Sequence, residues 1–341
     1  MKILITGGAG FIGSNAAEYF TKRKWKVSII DNLSRKGSNL NLDRIRDQIV
    51  KFYNIDIKDF DKLNKLINRL KPKVIIHAAG QVAVTKSIKN PINDFNDNLL
   101  GTLNLLEVIR KNNLKTKLIY TSTNKVYGNL ENLKLKKNSF RYDFLNKKKG
   151  LNERHNIDFH SPYGCSKGGA DQYVNDYSRI FGLDTYVLRQ SCIYGINQFG
   201  VEDQGWVAWF IISSIMKKKI KIYGDGKQVR DLLFIDDLCS LYYKIANSKK
   251  KIKNRIYNVG GGANFSISLI ELINFLKREK IFVKYSRTNW RDGDQKIFIS
   301  DNSKVKNDFH WSPKINPKKG IKILIDWVIQ NKKVISKVLG K

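Results

Sequence analysis

Short runs dense in Ile, Leu and Val recur through the first half of the chain, at residues 2–6, 26–30, 52–55, 74–77, 118–121 and 185–189. Continuous apolar runs of this length suit strands buried on both faces, as in a parallel sheet. Between them lie stretches with helical spacing, at residues 11–22, 92–112 and from Tyr163 to about Ile180. The alternation predicts an α/β fold with a doubly wound parallel sheet. Beyond residue 190 the rhythm weakens, and an aromatic, polar stretch (198–210) is followed by short strands near 232–235 and 257–260. This non-repeating part is expected to form a smaller α/β C-terminal substrate-binding lobe. Residues 129–152, lysine-rich and without period, are expected to be an irregular surface excursion.

The first strand runs directly into Gly7-Gly8-Ala9-Gly10-Phe11-Ile12-Gly13, then a helix, a second strand and Asp31. Glycines in this spacing permit a tight turn, close approach of backbone to a pyrophosphate, and close helix–strand packing. The helix N-terminus adds free N–H groups and a positive dipole end. The sheet is therefore expected to be a Rossmann dinucleotide-binding fold, built from residues 1–190 plus about 231–258. About 191–230 plus 259–341 would form the lobe. Asp31 is placed to accept from the adenosine ribose hydroxyls, which favours NAD, although Arg35 and Lys36 leave room for NADP. The expected cofactor contacts are Gly7, Gly10, Phe11, Ile12, Gly13, Asp31, Asn32, Asp56, Ile57, Ala78, Ala79, Gly80, Asn98, Tyr163 and Lys167. His77, ending an apolar run, is expected to be a buried structural histidine.

The second motif is Ser161-Pro162-Tyr163-Gly164-Cys165-Ser166-Lys167. Ser161 can cap a helix, and Pro162 suits its first turn. Tyr163 and Lys167, four apart, then share one face. A phenol with a pKa of ~10 is a poor base at neutral pH, and a nearby ammonium would lower it. The pair could remove a proton from a substrate alcohol while hydride leaves its carbon. Thr123, at the carboxyl end of a strand, could bond the reacting oxygen. Tyr-x-x-x-Lys alone occurs by chance; the glycine fingerprint and Thr123 give it weight.

The chain has 341 residues, 42% hydrophobic, with 63 Lys+Arg against 30 Asp+Glu and a formal charge of +33. That composition excludes a disordered chain. No apolar run is long enough to span a membrane. The positive balance raises the question of nucleic acid, but the lysines are scattered, with short clusters at Lys147 to Lys149, Lys217 to Lys219 and Lys249 to Lys251. No nucleic-acid-binding motif accompanies them. No nucleic acid or membrane partner is expected, and no metal site. The cysteines Cys165, Cys192 and Cys239 do not suggest a disulfide framework, and the N-terminus has no secretory layout. A cytoplasmic, reduced setting is expected.

Taken together, the glycine fingerprint, Ser122-Thr123-Asn124-Lys125-Val126-Tyr127-Gly128, the Tyr163/Lys167 pair and Gly224-Asp225-Gly226-Lys227-Gln228-Val229-Arg230-Asp231 resemble the extended short-chain dehydrogenase/reductase family, specifically its nucleotide-sugar epimerases and dehydratases. The resemblance implies Thr123, Tyr163 and Lys167 as the catalytic trio. It implies Thr123, Asn124, Gln198, Gln204, Arg230, Arg291 and Asp294 as contacts to a nucleotide sugar. A narrower likeness, at residues 122–128, 158–167 and 198–206, is to epimerases inverting C2 of a CDP-linked 3,6-dideoxyhexose, so a CDP-sugar is favoured. Ile196 and Asn197 depart from the Gly-Arg expected before Gln198. The resemblance also implies a homodimer or homotetramer through helices near 93–112 and 164–180. The alternatives are a UDP-hexose 4-epimerase, a 4,6-dehydratase, and a non-catalytic RNA- or complex-binding member. Dehydratases place acids where this chain has Asn124 and Lys125, and the intact trio argues against a non-catalytic role. Cys165 and Cys192 are expected to serve core packing.

Overall fold

The computed structural model describes every residue except 147, 148, 251, 253, 292 and 341, so two of the three lysine clusters lie partly outside the described residues. Seven parallel strands form the central sheet: β1 (Lys2–Thr6), β2 (Lys26–Asp31), β3 (Lys51–Asn54), β4 (Val74–His77), β5 (Lys117–Thr123), β6 (Asp184–Gln190) and β7 (Ile256–Val259). Their order is β7-β6-β5-β4-β1-β2-β3. The chain winds outward from β1 to β3, then returns to the other side of β1. This switch point opens a crevice beyond the carboxyl ends of β1 and β4. Side chains alternate across the sheet as strand geometry demands. Ile3 and Ile5 of β1 join one buried cluster, while Leu4 joins the other with Ile30, Ile75 and Leu118. Both faces are apolar, which explains the unbroken hydrophobic runs.

The lobe is built around the strand Val229–Phe234. Its second half runs parallel to Cys192–Tyr194, and its first half pairs with Ser266–Ser268 and Ile297–Phe298. Helix Leu269–Arg278 starts with a capping box, in which Ser268 and Glu271 satisfy each other's backbone N–H groups. Helix Ile235–Asn247 packs instead on Phe11–Thr21 of the nucleotide-binding part. No helix among the described residues is long and apolar enough to cross a membrane.

Two stretches differ from the sequence reading. The expected irregular excursion contains a hairpin, Leu135–Lys137 with Tyr142–Phe144. Tyr142 is buried with Val229 and Ile297, its N–H donates to Lys227 O at 3.0 Å, and its hydroxyl donates to Asp225 at 2.7 Å. The hairpin is held by the lobe rather than by its own period. The long helix expected over 92–112 is instead Pro91–Phe95 and Gly101–Lys111, joined by a π turn, Asn96–Leu100. The wider turn accompanies close packing of Gly101, where a Cβ would come within 2.5 Å of Ile57 Cδ1.

Candidate functional site

The chain leaves β1 through Gly7 in the left-handed region (φ 66°), where a Cβ would come 2.6 Å from the Ala79 backbone nitrogen. A Cβ on Gly13 would overlap Gly7 O. Gly10 precedes helix Phe11–Thr21 and no side chain caps that end, so its first N–H groups stay available. Asp31 accepts from Ala9 N–H at 3.0 Å and Leu33 N–H at 2.8 Å, which fixes the carboxylate at the end of β2 with lone pairs to spare. Burial raises its pKa against the pull of those backbone donors. Asn32 donates to Asp56 at 3.0 Å, and Ile57 is buried against the π turn.

Behind Ala78-Ala79-Gly80, the fully buried His77 is bonded at both ring nitrogens. Nδ1 lies 2.6 Å from Thr6 Oγ1, and Nε2 lies 3.0 Å from Thr102 Oγ1. Thr102 gives its own proton to Asn98 O at 2.5 Å, so Nε2 carries the ring hydrogen and Nδ1 accepts from Thr6. Ala79 N–H reaches Thr6 Oγ1 at 3.4 Å. One chain of hydrogen bonds thus runs from the glycine-side loop to Asn98. Burial, reinforced by the charge of Lys167, holds the imidazole neutral, down to about 3. Asn98 donates to Ser166 at 3.1 Å and Asp94 at 3.2 Å, while its buried Oδ1 has no partner among the described residues. A Cβ on Gly80 would lie 2.6 Å from that oxygen. An orphaned acceptor, an open glycine turn and a free helix end fit a dinucleotide.

Helix Ser161–Ile180 carries Tyr163 and Lys167 against β5. Ser161 takes φ 64°, and its Oγ accepts from Gly164 N–H at 3.3 Å, the capping role expected of it. Tyr163 is buried, and Thr123 acts on its hydroxyl. Burial drives the phenol up to about 12, with Thr123 opposing and Asp94 adding to the rise. Lys167 lies one turn along the same helix and is anchored on the strand. Its Nζ donates to Thr121 O at 2.7 Å and lies 4.3 Å over the Tyr120 ring, and it is not among the groups shifting Tyr163. Burial brings it down to about 7, against the pull of Asp171 and Asp94. One turn further, Asp171 forms a buried two-pronged pair with Arg189, both bonds 2.9 Å, and also accepts from Ser122 at 2.7 Å. This pair locks the helix to β5 and β6.

On the lobe side, Asn124 donates to Gln295 at 2.9 Å, and Lys125 Nζ to Gly293 O at 2.9 Å. Arg230 is half-buried, acted on by Asp294, and lies close enough to act on Lys125. Arg291 is engaged elsewhere, 3.2 Å from Asp203 and stacked 3.7 Å over Tyr223. Gln198 is buried with Oε1 unpartnered. Gln204 meets Val201 through backbone. Asn197 donates to Asn15 at 3.0 Å, so its side chain joins the glycine-helix and not a phosphate site. Cys165 is exposed, contrary to the core position expected, and burial pushes the Cys192 thiol up to about 12.

Sequence reasoning missed Asp94, Gln295 and Lys125 as parts of this site. Lys125 stood inside a motif already in view, but was weighed only as a missing acid. Asp94 carries no motif signal at all.

A family model described as GDP-mannose 4,6 dehydratase matches residues 4–324. The chain is 44% identical over 334 residues to CDP-paratose 2-epimerase of Salmonella typhi, covering 96% of this chain and 99% of that one. The structure of UDP-glucose 4-epimerase with UDP-glucose from Thermotoga maritima superposes with a TM-score of 0.83 at 29% identity, covering 97% of this chain and 100% of the other. UDP-glucuronic acid 4-epimerase from Bacillus cereus, in complex with UDP-glucuronic acid and NAD, has a TM-score of 0.83 at 26% identity, covering 97% and 99%.

Proposed function

Because the chain belongs to the GDP-mannose 4,6-dehydratase family of nucleotide-sugar epimerases and dehydratases, we propose that it is an NAD-dependent epimerase converting CDP-paratose to CDP-tyvelose by inversion at C2. The observation that carries the reading is the buried Tyr163–Thr123 hydroxyl pair at the carboxyl end of β5, in a chain close to a C2 epimerase over nearly its whole length. Gly7, Gly10, Phe11, Ile12 and Gly13 would hold the pyrophosphate of NAD. Asp31 and Asn32 would hold the ribose, Asp56 and Ile57 the adenine, and Ala78, Ala79, Gly80, Asn98 and Lys167 the nicotinamide half. Bound NAD supplies a positive charge and a reversible hydride acceptor.

Thr123 fixes the C2 oxygen while Tyr163 takes its proton, and Tyr163 returns that proton once the flat ketone has turned over. Lys167, anchored on Thr121 O one turn from Tyr163, would hold the cofactor ribose and keep positive charge on the tyrosine helix. Arg230 and Arg291 would meet the phosphates and Asp294 the ribose of the nucleotide, with Gln198 and Gln204 beside the sugar. A dehydratase needs an acid to expel water, and Asn124 bonded to Gln295 offers none. UDP-hexose 4-epimerisation is the second reading, favoured by the likeness to the Thermotoga enzyme.

We also infer a homodimer. Ile92, Phe95, Tyr173, Ile180 and Phe181 are exposed on the helices flanking Tyr163, and a second copy would cover them. Free thiols at Cys165, Cys192 and Cys239 agree with a cytoplasmic setting. The test is to incubate the protein with CDP-paratose and resolve the products. CDP-tyvelose without solvent deuterium at C2 is expected, and action on UDP-galactose alone would move the reaction to C4.

A further inference from the structure

The backbone N–H of Lys125 donates to Thr123 Oγ1 at 3.2 Å, so this lysine is tied directly to the hydroxyl that meets Tyr163. The turn Asn124–Tyr127 carries its side chain toward the lobe, where Nζ donates to Gly293 O. An ammonium has three donors, and this carbonyl uses one. Among the described residues it makes no ion pair. Desolvation, helped by the like charge of Arg230 and opposed by the Asp294 carboxylate, brings the amine down to about 8. Arg230 is acted on by both Asp294 and Asp231, and Lys125 by Asp294. Lys125 thus keeps donors that no carboxylate is bonded to, and an anionic ligand would use them. Lys125 is a cation on the lobe side of the site, distinct from Lys167, whose Nζ is held on Thr121 O.

The position of this charge bears on which carbon reacts. In a nucleotide sugar the phosphate is bonded to C1, next to C2 and across the ring from C4. A cation carried on the residue two past Thr123 is placed to hold that phosphate when the carbon beside C1 is the one presented to Tyr163. An enzyme acting at C4 must keep the phosphate a full ring width away. We propose that Lys125 grips the phosphate on the anomeric carbon and thereby selects C2 as the reacting carbon. The inference rests on the C2 reading given above and goes beyond it by naming the residue that enforces it. Lys125 is then a specificity residue, and its bond to Gly293 closes the lobe over the phosphate it holds.

The test uses the NAD-loaded full chain as wild type, Lys125→Met and Lys125→Arg. CDP and cytidine are the binding probes, read by calorimetry. CDP-paratose is the turnover probe, because it has hydroxyls at both C2 and C4 and its two epimers can be resolved. Lys125→Met should weaken CDP at least tenfold, leave cytidine unchanged, and lower the ratio of C2 to C4 epimer. Lys125→Arg should recover CDP affinity in part, because its charge reaches the same phosphate. Retained NAD in each variant reports an intact fold. Unchanged CDP affinity in Lys125→Met, or equal losses for CDP and cytidine, would overturn the proposal while leaving C2 epimerisation standing. A wild-type enzyme that makes only the C4 epimer would overturn both.

Discussion

Acidification should destabilise this protein through one residue, His77. Its folded pKa is about 3 against an ordinary 6.5, because burial and the nearby Lys167 disfavour the imidazolium. The unfolded chain therefore takes up a proton first as pH falls. Stability is lost from about pH 6.5 downward and stops being lost below the folded value. The full gap corresponds to roughly 5 kcal/mol at about 1.4 kcal/mol per unit, and the portion falling between about pH 7 and pH 5 is roughly 2 kcal/mol. The structural reason is specific: a proton on Nδ1 removes the acceptor that Thr6 uses at 2.6 Å and breaks the chain fixing Ala79 and Asn98. The assay is urea unfolding of NAD-loaded protein at the two pH values, for wild type and His77→Gln. The variant keeps a donor and an acceptor but cannot ionise, and carboxylate effects are common to both proteins. The wild type should lose about 2 kcal/mol more than the variant on acidification. Equal losses would refute the argument, because His77 would then not be the proton acceptor that separates the two states.

Tyr163→Phe should lower kcat by about 10²–10⁴-fold, the usual range for a lost proton-transfer group, while NAD released from denatured protein stays at wild-type level. Gly13→Ala should yield protein depleted of NAD by mass spectrometry, because the added methyl overlaps Gly7 O and pushes the turn open. A fully loaded variant would mean that the turn tolerates the shift. Ile92→Glu with Phe95→Glu should convert a dimer to a monomer by light scattering, since both side chains stand exposed on the apolar face. An unchanged mass would place any subunit contact elsewhere.

The sheet is legible in the sequence because burial on both faces makes the strand interiors mostly apolar, as Ile3, Leu4 and Ile5 illustrate. The glycine turn is legible because each of Gly7 and Gly13 answers a steric demand that another residue type cannot meet. The hairpin at 135–144 is not, since its stability comes from Tyr142 docking on residues far along the chain, at Asp225, Val229 and Ile297. Nor is the π turn, which follows from close contact between Gly101 and Ile57 and not from any break in helical spacing. The position of Lys167 on Thr121 O is likewise a tertiary fact: helical spacing puts it one turn from Tyr163 but leaves its long side chain free to reach the strand. Side chains that bridge distant segments, such as Asp94 with Gln81 and Ser166, leave no periodic trace.

Asn124 and Lys125, the two residues after Thr123, are both tied to the lobe, through Gln295 and Gly293. Swinging the lobe away must break those bonds at the same strand end that positions the threonine hydroxyl. Release and reaction therefore draw on the same contacts. For a sugar released by such a swing, a half-finished ketone would be held while those contacts stand, and the intact sugar would be the species let go as they part. Faithful return of the hydride would then depend on the joint between the two halves as much as on the groups that move the proton.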